Sequence, residues 1–215
     1  SRPRQTIALP VGMPGHSGPA DLMLLRWMTS TFGAPRALVE SQGENNYYPG
    51  FSPDSQWVVF NRSTGGSYLA PDAALWAVRA DGTGRPVALA RANGQGNRTN
   101  SWPKWTPFVE RYVGELEEPL LWVTFSSRRD YGLRLQQESM PADSQRSQLW
   151  MAAFRPRGTG MDPSSPAFWL PFQNIGVGNH IAQWVETVRR QDCTMDRNCP
   201  AGETCQNGRC VGAPP

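Results

Sequence analysis

Residues 47 to 66 read YYPGFSPDSQWVVFNRSTGG, a tight-turn signal set between two apolar runs. Pro53 presets φ at about −65° for the second position of a turn, and Asp54 can accept a hydrogen bond from the backbone two residues on. The run that follows, Gln56-Trp57-Val58-Val59-Phe60, is rich in β-branched and aromatic residues and predicts a strand. Val58 and Phe60 alternate with Trp57 and Val59, so both faces are apolar. A strand of that kind belongs in a sheet covered on both sides.

Further along, Leu75-Trp76-Ala77-Val78 predicts a second strand and Pro86-Val87-Ala88-Leu89 a return strand, with the turn at Asp81 and Gly82. One unit thus holds about four short strands in meander order. The unit recurs. DLMLLRW at 21–27, ALWAVRA at 74–80 and QLWMAAF at 148–154 align on Leu22, Leu75 and Leu149. Pro49-x-Phe51-Ser52-Pro53 returns as Pro103-x-Trp105-Thr106-Pro107, and the strand ending at Phe60 is answered by one ending at Phe125. A period above about 40 residues with four strands per unit predicts the blades of a β-propeller lengthened by loop insertions. A β-sandwich with coincidental similarity is the competing reading.

The composition agrees with an all-β chain. Among 215 residues, 39% are hydrophobic and only 18% charged, with 21 Gly, 20 Pro and 9 Trp. The net charge of +3 is too small to imply a nucleic-acid partner, and the basic residues, nearly all Arg, form no block. No apolar run approaches the roughly 18 residues that span a bilayer.

The segment PGFSPDSQWVVF, followed by LWAVRADGTG, resembles the WD40-like repeat of TolB-type propellers. The resemblance covers roughly residues 20 to 185. In the first copy Ser55 stands where that pattern has Gly; in the second, Thr106 replaces Ser and Phe108 replaces Asp. The second turn is therefore expected to open into a longer loop, through FVERYVGELEEP. The family is six-bladed, so the resemblance implies an all-β partial propeller at 1–190. It would comprise the end of one blade at 1–45, a blade at 46–91, a blade at 92–157 and a closing segment at 158–190. The first blade begins inside a repeat, which predicts that the chain is the C-terminal part of a longer propeller, with N-terminal blades as partners.

Within 162–184 the apolar run Ala167-Phe168-Trp169-Leu170 predicts a closing strand, which Pro171 ends. A surface loop carrying Asn179 and His180 is expected to follow, with His180 a hydrogen-bonded anchor rather than a catalyst or ligand. His16 is read in the same way.

After residue 190 the character changes. CTMDRNCPAGETCQNGRC carries all four cysteines, Cys193, Cys199, Cys205 and Cys210, in a turn-rich segment where no helix or strand of useful length is expected. The wide, even gaps favour two disulfides over a zinc site, whose ligands come in closely spaced pairs. Disulfides need an oxidising compartment. Four cysteines allow three pairings. Similarity to small cysteine modules of bacterial envelope proteins implies Cys193 with Cys205 and Cys199 with Cys210 in the module 191–215. It also implies export to the periplasm or cell surface of a Gram-negative bacterium. The sequons at Asn61 and Asn97 are then coincidental.

No hydrolase elbow, zinc-binding H-E-x-x-H, phosphate loop or haem motif is present. Glu115, Glu117 and Glu118 read as solvated, and Asp54, Asp81 and Asp130 as turn residues. Calcium needs six to eight oxygens, which no single loop here supplies. The expectation is a non-enzymatic scaffold without cofactor or metal, contacting other envelope proteins through loops at 106–119 and 134–147. Its structural motif residues are Pro49, Phe51, Ser52, Pro53, Asp54, Phe60, Asp81, Gly82, Pro103, Trp105 and Phe125. A carbohydrate- or small-ligand-binding propeller and the accessory propeller of a hydrolase are the alternatives.

Overall fold

Alternating apolar residues need two covers, and the structure supplies both. A computed structural model describes residues 5–8, 19–66, 69–96, 98–111, 119–156, 161–185, 193–199, 203–206 and 208–212. The chain divides into two compact units, Ser1–Trp184 and Val185–Pro215.

Among the described residues the first unit is built from three antiparallel sheets. The first has β1 (Gln5–Ala8), β2 (Leu22–Arg26) and β3 (Arg36–Val39), in that order. The second is a four-strand meander of β4 (Asn45–Phe51), β5 (Trp57–Ser63), β6 (Ala74–Arg79) and β7 (Val87–Ala88). A short helix, α1 (Ala90–Asn93), leads on to the third sheet. That sheet has β8 (Ser101–Trp105), β10 (Pro119–Ser127), β11 (Gln148–Phe154) and β12 (Phe168–Trp169), with the short β9 (Glu110–Arg111) added to β10. The meander order of the unit follows the sequence expectation.

The second sheet is covered on both faces. Trp57, Val59, Leu75 and Ala77 meet Trp105, Val123, Phe125, Trp150 and Phe154 of the third sheet in one core. Val58, Phe60, Val78 and Ala80 meet Leu22, Leu24, Leu38 and Val39 of the first sheet in another. Val58, Val59 and Phe60 are wholly buried, and each such side chain contributes roughly 1.5–3 kcal/mol.

The β4–β5 turn has the expected chemistry. Asp54 Oδ1 accepts the Gln56 amide at 3.0 Å and the Ser52 hydroxyl at 2.5 Å, while Ser52 Oγ accepts the Trp57 amide at 2.9 Å. Ser55 adopts φ 60°, a left-handed conformation that favours glycine. In the third sheet the corresponding connection runs from Trp105 to Pro119 by way of β9, so the turn does open into a longer excursion; residues 112–118, with the three glutamates, lie outside the described residues. Asp81 caps its own turn by accepting the Thr83 amide and hydroxyl, and Gly82 takes φ 82°. The loop is nevertheless longer than a tight hairpin, since β7 begins only at Val87.

The second unit departs from expectation. It carries a hairpin of β13 (Glu203–Gln206) and β14 (Arg209–Gly212), preceded by a 3-10 turn at Asp196–Asn198. Gly208, between the two strands, takes φ 77°, the left-handed conformation a tight connection needs. Disulfides join Cys193 to Cys205 and Cys199 to Cys210, the pairing the resemblance implies. Among the described residues no helix is long and apolar enough to cross a membrane.

Candidate functional site

Polar residues gather where one sheet hands the chain to the next. The hand-over is made three times with the same bonds. The Asn46 amide donates to Ala20 O at 3.3 Å, that of Asn100 to Ala73 O at 2.9 Å, and that of Asn179 to Ser147 O at 2.7 Å. Each acceptor lies just before the third strand of a meander unit. Two residues after each asparagine stands a residue with left-handed φ: Tyr48 at 51°, Trp102 at 57° and Ile181 at 58°. The Trp102 amide donates to Asn61 Oδ1 at 2.9 Å, and the Ile181 amide to Ser126 Oγ at 3.3 Å. Asn61 and Ser126 each follow the phenylalanine, Phe60 or Phe125, near the end of the second strand of a unit.

The loops before the hand-over are matched too. The Asn93 side chain holds both backbone groups of Leu75, at 2.8 and 3.0 Å, and the Gln173 side chain does the same for Leu149, at 2.7 and 2.9 Å. Residues 179–184, Asn-His-Ile-Ala-Gln-Trp, therefore repeat 100–105, Asn-Ser-Trp-Pro-Lys-Trp, and 46–51, Asn-Tyr-Tyr-Pro-Gly-Phe. Residues 179–184 form no strand, in line with the loop expected there, and the loop carries the bonds of the other two hand-overs. The signal was an asparagine followed at the fifth residue by Phe or Trp.

Aromatic residues cluster along this edge. Tyr48 stacks on Trp102 with ring centres 3.8 Å apart, and Trp102 meets His180 edge-on at 5.8 Å. Tyr48, Trp102 and His180 are half-buried. The neighbouring Tyr47 is buried, which pushes its hydroxyl up to about 12.

His180 is an anchor. Its Nδ1 lies 2.6 Å from Ser126 Oγ, which also accepts the Ile181 backbone amide at 3.3 Å. Burial, and then the Arg128 charge, hold the His180 pKa below its ordinary value. A serine–histidine contact is also the geometry of a nucleophile and its base. Here Ser126 is 1% exposed and sits within β10, so its oxygen has no open side for a substrate.

Among the described residues Arg129 is the one buried cation, 5% exposed. It donates to Ala92 O, Asn93 O, Asn100 Oδ1 and Ser127 Oγ, and lies over the Phe125 and Trp150 rings. Burial, and next the nearby Arg98, bring its pKa down to about 10. Sequence reading missed it, because an Arg beside another Arg and an Asp carries no pattern of its own.

The motif residues are positioned by the sheets. Pro49 and Pro103 sit in β4 and β8 beside register shifts. Trp105 donates through Nε1 to Gly50 O at 2.9 Å, tying two first strands together. Phe51 packs against the core between the first and second sheets, Phe60 and Phe125 are wholly buried, and Pro53 lies in the turn described above. His16 and Asn97 lie outside the described residues. Asn61 is buried and donates its amide to Ala74 O and Asn100 O, so a glycan there is incompatible with this fold.

The sulfurs of Cys193, Cys199 and Cys210 lie within 4.8 Å of one another, but both disulfides draw on them. An open groove of about 560 Å³ runs past Leu38, Glu40, Arg62 and Arg85. Comparison with protein-family models, curated proteins and solved structures gives no match.

Proposed function

We propose that the three sheets are blades of a β-propeller that serves as a non-enzymatic scaffold in a bacterial cell envelope. The observation that carries this reading is the hand-over repeated at Asn46, Asn100 and Asn179. A constant step between successive meander sheets is how a propeller is generated, whereas a two-sheet sandwich needs no third identical step. The resemblance to TolB-type repeats supports the same reading.

Two disulfides fit an exported protein in an oxidising compartment, and the envelope is the compartment the cysteine module resembles. Scaffold function rests on the loops. The connections 106–118 and 128–147 leave a rigid sheet, and loops so placed carry recognition. Leu133, 93% exposed at the second of them, is an apolar contact residue held out in water. Replacing residues 131–136 by a Gly/Ser linker should abolish capture of an envelope partner while leaving the melting of the sheet unit unchanged. Capture that survives both this change and replacement of 106–118 would refute the loop-based reading.

A second reading has one observation of its own. The stacked, half-buried Tyr48 and Trp102 resemble a platform for a sugar ring or a planar ligand. Titration with oligosaccharides while following Trp fluorescence tests it, with Trp102→Ala as the control.

A further inference from the structure

One edge of the first sheet borders the open groove. Among the described residues β3 pairs with β2 alone, and it stays a strand through its one register shift, at Leu38. Residues 37–40 line the groove of about 560 Å³ in unbroken succession. A strand that met the groove with one face would contribute every second residue, so it is the backbone edge of β3 that borders it. Across the groove stand Arg62, from the end of β5, and Arg85 and Pro86, from the connection between β6 and β7.

Both ends of the groove are fixed. Arg36 Nη2 donates to Asp81 O at 2.9 Å, which clamps the start of β3 to the connection that carries Arg85. Beyond β3, the Ser41 amide donates to Asp21 Oδ1 at 2.7 Å and the Ser41 hydroxyl to Glu44 O at 2.6 Å. A slot tied at both ends is preformed, and this one has the volume of an ordinary ligand site.

Its arginines have spare capacity for an anion. Arg62, 15% exposed, is held by Nε, which donates to Asn46 Oδ1 at 2.9 Å and lies 3.2 Å from Glu44 Oε2. The guanidinium lies over the Trp76 ring at 4.4 Å. Nη1 and Nη2 donate to no described residue, and neither is sealed from solvent. Burial holds the Arg62 pKa below its ordinary value, and Glu44 offsets only part of that. Arg85 is exposed and has no ion-pair partner among the described residues; the same holds for Glu40, the carboxylate on the lining. Two guanidinium groups thus face one unpaired carboxylate.

We infer that the groove takes an extended, acidic peptide segment of a partner protein, which adds to β3 as a further strand and sets carboxylates on Arg62 and Arg85. Main-chain bonds along roughly 13 Å of strand edge supply affinity. The two terminal amino groups of Arg62, fixed in one plane by the contacts at Nε and the indole beneath, match the two oxygens of a carboxylate. The inference goes beyond the scaffold reading, since it uses neither the loops at 106–118 and 128–147 nor the hand-over at Asn179.

The test uses the full chain and a fluorescein-labelled peptide of alternating valine and aspartate, followed by fluorescence polarisation. The peptide should bind at micromolar concentration and shift the amide signals of residues 37–40 in NMR spectra. Methylating every second backbone nitrogen of the peptide should abolish binding in one register and spare it in the other, because an added strand bonds its neighbour through alternate residues. Replacing the aspartates by lysines should abolish binding. Arg85→Glu, at an exposed side chain, should weaken binding about fivefold with the melt unchanged, and Arg62→Gln about tenfold. No binding up to millimolar peptide overturns the proposal. Equal effects of the two methylation registers also overturn it, as an ionic contact without strand addition, and so does equal affinity for the lysine peptide. Each of these results leaves capture through the loops intact, so failure here and failure of the scaffold reading are told apart.

Discussion

Asn61 holds Trp102 across a sheet boundary: its Oδ1 accepts the Trp102 amide at 2.9 Å while its Nδ2 donates to Asn100 O at 2.7 Å. One buried side chain thus satisfies a donor and an acceptor of the neighbouring sheet, at the point where the backbone of Trp102 turns left-handed. Asn61→Ala leaves both groups buried and unmet, at about 1–3 kcal/mol each. Thermal melting should show a loss of about 3 kcal/mol. Asn61→Ser, which reproduces the residue at 126, should lose less than half as much. Equal losses for the two variants would contradict the bonding described.

Ala182 stands where the two earlier repeats have Pro49 and Pro103. If the backbone at 181–182 follows theirs, Ala182→Pro meets no strain and restricts the unfolded chain. Stability should be unchanged or raised by about 0.4–1 kcal/mol. Denaturant melts that show a loss above about 2 kcal/mol would mean that residues 179–184 do not follow the repeat.

His180 makes the fold pH-sensitive. Its pKa lies below the ordinary 6.5, so below that pH the unfolded chain binds a proton that the folded chain resists. Stability should be complete above pH 6.5 and fall as the pH drops through that value toward the folded pKa. His180→Gln should flatten the melting temperature between pH 7.5 and 5. A variant with the same slope as the parent would place the titration elsewhere.

The disulfides close loops of 12 and 11 residues, each worth about 3 kcal/mol through the unfolded chain. A two-strand hairpin in water is marginal without such support. Reduction should release amide protection across Glu203–Gln206 and Arg209–Gly212, read by hydrogen exchange. Protection that persists after complete reduction would show that the hairpin stands by itself.

What the sequence revealed follows from how each feature is encoded. Trp57 to Phe60 and Leu75 to Val78 were legible because their faces alternate and the pattern returns. The continuation of β5 through Asn61, Arg62 and Ser63 was not, since polar residues at a strand end read as loop; here Asn61 is polar because it bonds the next sheet. The third copy of the hand-over, which forms no strand, hid behind Ile181 and Ala182, which replace the aromatic and the proline of the other two. The terminal hairpin was overlooked although Asn207-Gly208 marks it, because four closely placed cysteines drew the reading toward cross-links alone. Arg129 was invisible, as two of its acceptors are backbone carbonyls 36 and 37 residues away and a third is the Asn100 side chain 29 residues away.

The central claim, that the same step joins each sheet to the next and is taken a third time at Asn179, is tested most directly at one amide. Hydrogen exchange followed by NMR should find the Ile181 amide slowed to within about tenfold of the Trp102 amide, since both donate to a buried side chain of the preceding sheet. Exchange of Ile181 at the rate of an unstructured peptide, with Trp102 still protected, would contradict the account.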